Sequence, residues 1–214
     1  MNGVVSAAPD RDCPLCPRLA AFRSANQQSH PDFFNAPVPS FGGTGARLLI
    51  VGLAPGLKGA NRTGRPFTGD YAGDLLYATL LKFGFARGRY DRRSDDGLRL
   101  ADCRITNAVR CVPPENKPLT EEIAICRRFL EVELASLERL EAVLALGVIA
   151  HGAVLGALGL RKGRHPFAHG ALHELPNAPL LADSYHCSRY NTNTGRLTGA
   201  MFEAIFVELK SRLG

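Results

Sequence analysis

Four short apolar runs constrain this chain more than anything else in it: RLLIVGL (Arg47–Leu53), CRITNAV (Cys103–Val109), AVLAL (Ala142–Leu146) and PLLADSY (Pro179–Tyr185). Each is too short for a helix and too continuously apolar for a half-exposed strand, so each reads as a strand buried on both faces. Helical spacing fills much of the rest. Asp70–Phe83 carries Leu75, Leu76, Leu80 and Leu81, with Thr68 or Asp70 as its cap. Thr120–Leu140 places Ile123, Cys126, Leu130, Leu134 and Leu137 on one face, and Thr194–Leu213 repeats Leu197, Met201, Ile205, Leu209 and Leu213 at fourfold spacing. Strands alternating with helices predict an α/β protein with a mostly parallel sheet covered on both sides. Ligands of such sheets bind beyond the carboxyl ends of the strands. The loops at 53–70, 107–111 and 186–195 should therefore share one site.

Ala142–Leu160 has no charged residue and is nominally long enough to span a bilayer, but Gly147, Gly152, Gly156 and Gly159 interrupt it. It reads as a strand turning into a helix, so no membrane partner is expected. The first thirteen residues show neither a basic n-region nor an apolar h-region, which predicts a cytoplasmic chain. At 214 residues a single domain over 1–214 is expected. The net charge is +6, and 21 of the 26 basic residues are Arg. That bias suits bidentate phosphate contacts, and a solvated Arg-rich surface accounts for it equally well. Arg87–Asp96 reads as a charged surface loop without chemistry.

Cysteines at Cys-x-x-Cys spacing in a chain without a secretory signal point to metal or cluster ligation rather than disulfides. Cys13 and Cys16 form one such pair; Cys111 and Cys126 form a second, brought together where a Pro-rich loop returns to its helix. Four thiolates can close a zinc site or hold an iron–sulfur cluster. Joining the pairs would tie the N-terminal arm to the body of the domain. Cys103 and Cys187 are expected to be unliganded core residues. The segment GLAPGLKGANRTGRPFTGD (Gly52–Asp70) holds five glycines and two prolines, yet lacks both the Walker A triplet and the dinucleotide-binding spacing. Phe67 within it is placed to stack on a flat ligand. Asp70 can cap the following helix or activate water. Asn107 at a strand end offers a donor and an acceptor, which matches a nucleobase edge. In SYHCSRYNTNTGRLT (Ser184–Thr198), His186 follows the fourth strand beside Arg189, Tyr190, Asn191 and Asn193. His165, His169 and His173 look like a metal tract, but flanking Pro and Gly predict a loop.

These pieces, in this order from Cys13 to Thr198, resemble the uracil-DNA glycosylase superfamily, and within it the iron–sulfur branch called family 5 or type B. The resemblance implies a three-layer α/β/α sandwich around a four-stranded sheet and a [4Fe–4S] cluster on Cys13, Cys16, Cys111 and Cys126, with zinc as the alternative. It implies a DNA-repair enzyme that flips uracil out of DNA and hydrolyses its glycosidic bond, with hypoxanthine and xanthine as further substrates. Asp70, His186 and Asn107 would be catalytic, and Gly52, Ala54, Phe67, Asn107 and His186 would bind the base. Arg65, Ser188, Arg189, Tyr190, Asn191 and Arg196 would contact DNA, with Tyr190 or Arg189 as the wedge. A monomer in a bacterial or archaeal cytoplasm, associated with the nucleoid, is implied by the same analogy. Leu53 stands where the sister cluster-bearing branch has an acid, and Cys187 replaces the usual proline of the second motif. A non-catalytic iron–sulfur DNA-binding module and a zinc-stabilised nucleotide-binding protein are the competing expectations.

Overall fold

The computed structural model describes residues 7–214, so the first six residues of the N-terminal stretch lie outside the described residues. The four apolar runs form parallel strands β1 (Leu48–Gly52), β4 (Cys103–Asn107), β5 (Ala142–Leu146) and β7 (Leu180–Ser184). A two-residue hairpin pair, β2 (Ala86–Arg87) and β3 (Arg99–Leu100), lies apart from the main sheet. The main sheet has order β4-β1-β5-β7-β6. Its fifth strand, β6 (Leu172–His173), pairs antiparallel with β7. The expected count of four is thus corrected to five. The added strand comes from RHPFAHGALH, read above as loop throughout, because two residues are too few for a periodic signal.

Register explains how both sheet faces become core. Ile50 lies opposite Ile105 on one side and Leu144 on the other. Leu48, Ile50, Ile105, Leu144 and Ala182 face one way, while Leu49, Val51, Val143, Ala145 and Leu181 face the other. The first set packs against α3 (Tyr71–Lys82) and α7 (Gly199–Leu213), the second against α4 (Thr120–Ser136) and α5 (Val148–Ala157). This is the expected three-layer sandwich. The fourfold pattern of the last helix holds as well: Leu197, Ile205, Leu209 and Leu213 are buried, although Leu197 precedes α7 and Thr198 caps it. The charge-free stretch from Ala142 divides into β5 and α5, and no helix among the described residues is long and apolar enough to cross a membrane.

The N-terminal arm carries α1 (Pro17–Ser29) and docks on the start of α4. Arg18 makes a bidentate pair with buried Glu122, whose other contact accepts the Leu119 N–H and so caps α4. Burial alone would push Glu122 up, but Arg18 holds it below the usual carboxylate range. The remaining helices are α2 (Ala60–Thr63) and α6 (Arg189–Asn193), both short and both in loops at the carboxyl edge of the sheet.

Candidate active site and four-cysteine centre

Parallel pairing brings Gly52, Asn107, Leu146 and Ser184 to the same sheet edge, and the loops leaving them converge there. A small recess at that edge is lined by Ala54, Phe67, Asp70, Asn107 and His186, together with Gly56. Asn107 is buried, and its Oδ1 has no hydrogen-bond partner within the protein. An orphaned buried acceptor costs about 1–3 kcal/mol unless a ligand or water satisfies it. Gly52 makes room for this amide. A Cβ there would lie 2.4 Å from Asn107 Oδ1 and 2.5 Å from Phe67 Cζ.

Phe67 sits in the left-handed region at φ +53°, which is costly for a bulky residue and has to be imposed by its surroundings. Tyr77 donates to the Pro66 carbonyl at 2.6 Å and Tyr90 to the Phe67 carbonyl at 3.2 Å, clamping the turn on both sides. The ring is turned toward the recess, stacked against His186 with centroids 5.9 Å apart. It also joins the core cluster above β1, so it is partly a core residue, contrary to its placing among glycines.

Asp70 takes the cap role, one of the two weighed for it. Its Oδ1 accepts the Gly73 N–H and caps α3, while Oδ2 faces the glycine-rich loop. A Cβ on Gly59 would stand 2.3 Å from Oδ2 and 2.9 Å from the Asp70 Cβ, so this glycine is required for the carboxylate to lie where it does, while one on Gly56 would make a tight contact at 3.3 Å. Burial raises the Asp70 carboxyl above its ordinary range despite the backbone donors of α3. Burial likewise depresses His186 to about 4, leaving a neutral imidazole at physiological pH. Cys187 beside it is fully buried in the core, and its thiol is pushed up by desolvation. The turn does not depend on a proline: Ser188 caps α6, and Asn191 Nδ2 donates to the His186 carbonyl at 2.8 Å.

The residues expected at DNA divide into two groups. Ser188 and Arg189 line an open groove outside the recess, shared with Lys58, Tyr71 and Asn116. Arg189 stacks on Tyr71 at 5.3 Å, and Tyr190, next in sequence, is 72% exposed. Arg196 lies over Tyr185 and borders a neighbouring recess. Asn191 holds His186 in place, so its amide N–H is committed. Arg65 is a correction. It is buried, bonds Asp96 through both terminal nitrogens at 2.9 and 2.7 Å, and reaches Thr68 Oγ1 through Nε. Phe41, Tyr77 and Tyr90 surround its guanidinium. It braces the Phe67 turn from inside and is not available to a phosphate. The 87–96 segment is corrected with it, since the covered carboxylate of Asp96 and half-buried Tyr90 belong to that brace. Sequence reasoning missed Gly59, Tyr71 and Asn116, none of which carries a motif by itself.

Cys13, Cys16, Cys111 and Cys126 converge where the arm meets α4, around Leu19, Val109 and Phe129. Cys103 and Cys187 are buried elsewhere, as expected. Burial and the neighbouring thiols push Cys16 up to about 11 and Cys111 to about 12. The Arg110 N–H lies 3.4 Å from Cys126 Sγ, and Arg23 Nη1 lies 3.7 Å from Cys111 Sγ. Donors aimed at sulfur stabilise thiolates, and four thiolates gathered at one partly buried place require a cationic group between them. The donor set fits a bound metal group.

A sequence profile described as the uracil DNA glycosylase superfamily matches residues 39–210. The chain belongs to that superfamily. The chain is also 47% identical to a type-5 uracil-DNA glycosylase of Thermus thermophilus, with 94% of each chain covered. It is 42% identical to one of Mycobacterium leprae, covering 94% and 92%, and 40% identical to one of Pyrobaculum aerophilum, covering 87% and 83%. The superfamily match begins after Cys13 and Cys16, so the N-terminal arm falls outside it.

Proposed function

We propose that this superfamily member excises uracil from DNA by hydrolysis, in the manner its type-5 relatives are named for. The observation that carries this reading is the unpartnered, buried Oδ1 of Asn107 at the back of a recess walled by an aromatic ring, a carboxylate and an imidazole. A base within a duplex cannot reach such a recess, so its nucleotide must be rotated out at a cost of about a few kcal/mol. Lys58 and Arg189 in the groove would hold the flanking phosphates, and Tyr190 would fill the gap in the stack. Phe67 stacks on the flipped base. Asn107 Oδ1 accepts the imide N–H, which thymine's ring also offers but the N3 of cytosine does not.

When the C1′–N1 bond breaks, its electron pair leaves with the base and positive charge develops on the sugar. A neutral His186 donates an N–H to the anionic base oxygen, and Asp70 Oδ2 stabilises the sugar cation and orients a water. The water oxygen bonds to C1′ and one of its protons passes to Asp70 and on to solvent, while the departing uracil anion takes up a proton from solvent, leaving an abasic site and free uracil. His186 also borders a second recess, lined by Leu53, Phe167 and Tyr185, and we propose deaminated purines as further substrates. The chain would act as a monomer in the cytoplasm.

For the cysteine centre we propose a [4Fe–4S] cluster on Cys13, Cys16, Cys111 and Cys126, with a structural role in holding the arm. A single zinc ion bonded at about 2.3 Å would draw four sulfurs to about 3.8 Å from one another. All four cysteines line one recess, where together they would hold a cluster.

The test is excision on a duplex carrying one uracil, read as alkali-labile strand breaks, with Asp70→Asn alongside. Wild type should cleave at the uracil and the variant should be slower by about 10²–10³-fold. Wild-type protein that binds the duplex and leaves the uracil in place would instead be a binding module.

A further inference from the structure

Behind β7, away from the cysteines and outside the catalytic recess, three side chains converge from three elements: His151 of α5, His173 of β6 and Asp183 of β7. Asp183 and His151 are buried, and His173 keeps 11% of its side-chain surface. His151 Nδ1 lies 2.7 Å from Asp183 Oδ1, and His173 Nε2 lies 3.0 Å from Asp183 Oδ2. One ligand atom from each residue falls within 4.8 Å of the other two. The second nitrogen of His151 restricts what can occupy this cluster. Nε2 faces the His165 carbonyl at 2.8 Å, an acceptor only, and so must carry a proton. Nδ1 is the nitrogen left to face the carboxylate, and a proton or a metal ion can join the two.

We infer that this is a second metal site, taking one divalent cation of the zinc class on His151 Nδ1, His173 Nε2 and Asp183. Two imidazoles and a carboxylate form a donor set that such ions accept, at about 2.0–2.2 Å from each atom. A ligating histidine characteristically donates its other N–H to a backbone carbonyl, which is what His151 does to His165. Histidines spaced like those of the 165–173 run, taken as a tract, would suggest a local site; the fold instead takes only His173 from that run and draws the other two ligands from elsewhere. His169 has a different role, since its Nδ1 accepts the Tyr185 N–H. A cation here would fasten the 165–171 segment and β6 to β7, three residues before His186. The inference does not depend on the proposed glycosylase chemistry.

The experiment uses cluster-loaded protein, given Zn2+ and then gel-filtered, with zinc and iron counted separately. About one zinc per chain should be retained, with the iron content and visible band unchanged. His173→Gln, at the partly exposed edge strand, and Asp183→Asn should each lose that zinc. Wild-type Tm should rise by roughly 5–10 °C at Zn2+ about 100 times its Kd, and the rise should vanish in both variants. Wild type that retains no zinc and shows no shift would overturn the site and leave a shared proton between His151 and Asp183. Zinc retained equally by His173→Gln would also overturn it by placing the ion elsewhere. Should Asp183→Asn fail to fold, His173→Gln decides alone.

Discussion

Gly52→Ala places one methyl group between the two side chains proposed to hold the base. Gly52 is not in the left-handed region, so alanine meets no backbone penalty, and the whole effect arises from contact. The added carbon would stand 2.4 Å from Asn107 Oδ1 and 2.5 Å from Phe67 Cζ, about an ångström inside ordinary contact. Both neighbours are side-chain tips, so the strand can stay in register while the amide and ring move away. Overpacking of this kind costs about 1–3 kcal/mol, offset by about 0.4–1 kcal/mol from the stiffer unfolded chain. The net loss corresponds to a fall in Tm of at most about 10 °C. Activity should suffer more. A lost two-point base contact is worth about 1–3 kcal/mol and lost stacking about 1–3 kcal/mol. At tenfold per ~1.4 kcal/mol, displacing both slows excision by about 30-fold to 10⁴-fold. Single-turnover excision on a uracil duplex reads this directly, with circular dichroism confirming the fold. Adding Asn107→Ala to Gly52→Ala should cost little more, because both changes remove the same contact. A Gly52→Ala enzyme within threefold of wild type would refute the packed base site.

Asp70→Asn should leave Tm within about 1–2 °C of wild type because asparagine caps as well as aspartate, whereas Asp70→Ala should lose about 1 kcal/mol of cap energy as well as activity. Because burial raises Asp70, the acid limb of the excision pH profile should sit above the ordinary carboxylate range and disappear in Asp70→Asn; an unchanged limb would assign it to another group. His186 is held neutral down to about 4, so the unfolded chain binds the extra proton first: its contribution to stability should fall as pH drops from about 6.5 to about 4 and then level off, and His186→Asn should flatten that part of a Tm-against-pH curve. Arg65→Met should destabilise by about 3–5 kcal/mol through the stranded Asp96 and abolish excision without changing the salt dependence of DNA binding, since Arg65 touches no phosphate. Cys111→Ser should remove the visible band expected of the proposed cluster and expose the N-terminal arm to limited proteolysis.

The order of strands and helices was legible in the sequence because a two-sided parallel sheet requires continuous apolar runs, and a covering helix requires a periodic stripe. The four cysteines were legible through spacing, Asn107 and His186 through their places at or just past strand ends, and Asp70 through the glycine-rich loop that it closes before α3. What sequence position could not show was the direction in which each side chain spends its bonds. Arg65 and Asn191 both look like DNA contacts, yet one is buried against Asp96 and the other anchors His186, since neighbours 31 and 5 residues away supply the partners. The fifth strand escaped notice because two residues acquire strand geometry only from the edge they pair with. His151, His173 and Asp183 lie 10 to 32 residues apart and share no motif. Local pattern reports what a segment must bury. Which polar atoms then meet depends on the register and packing of distant segments, and only the folded chain decides that.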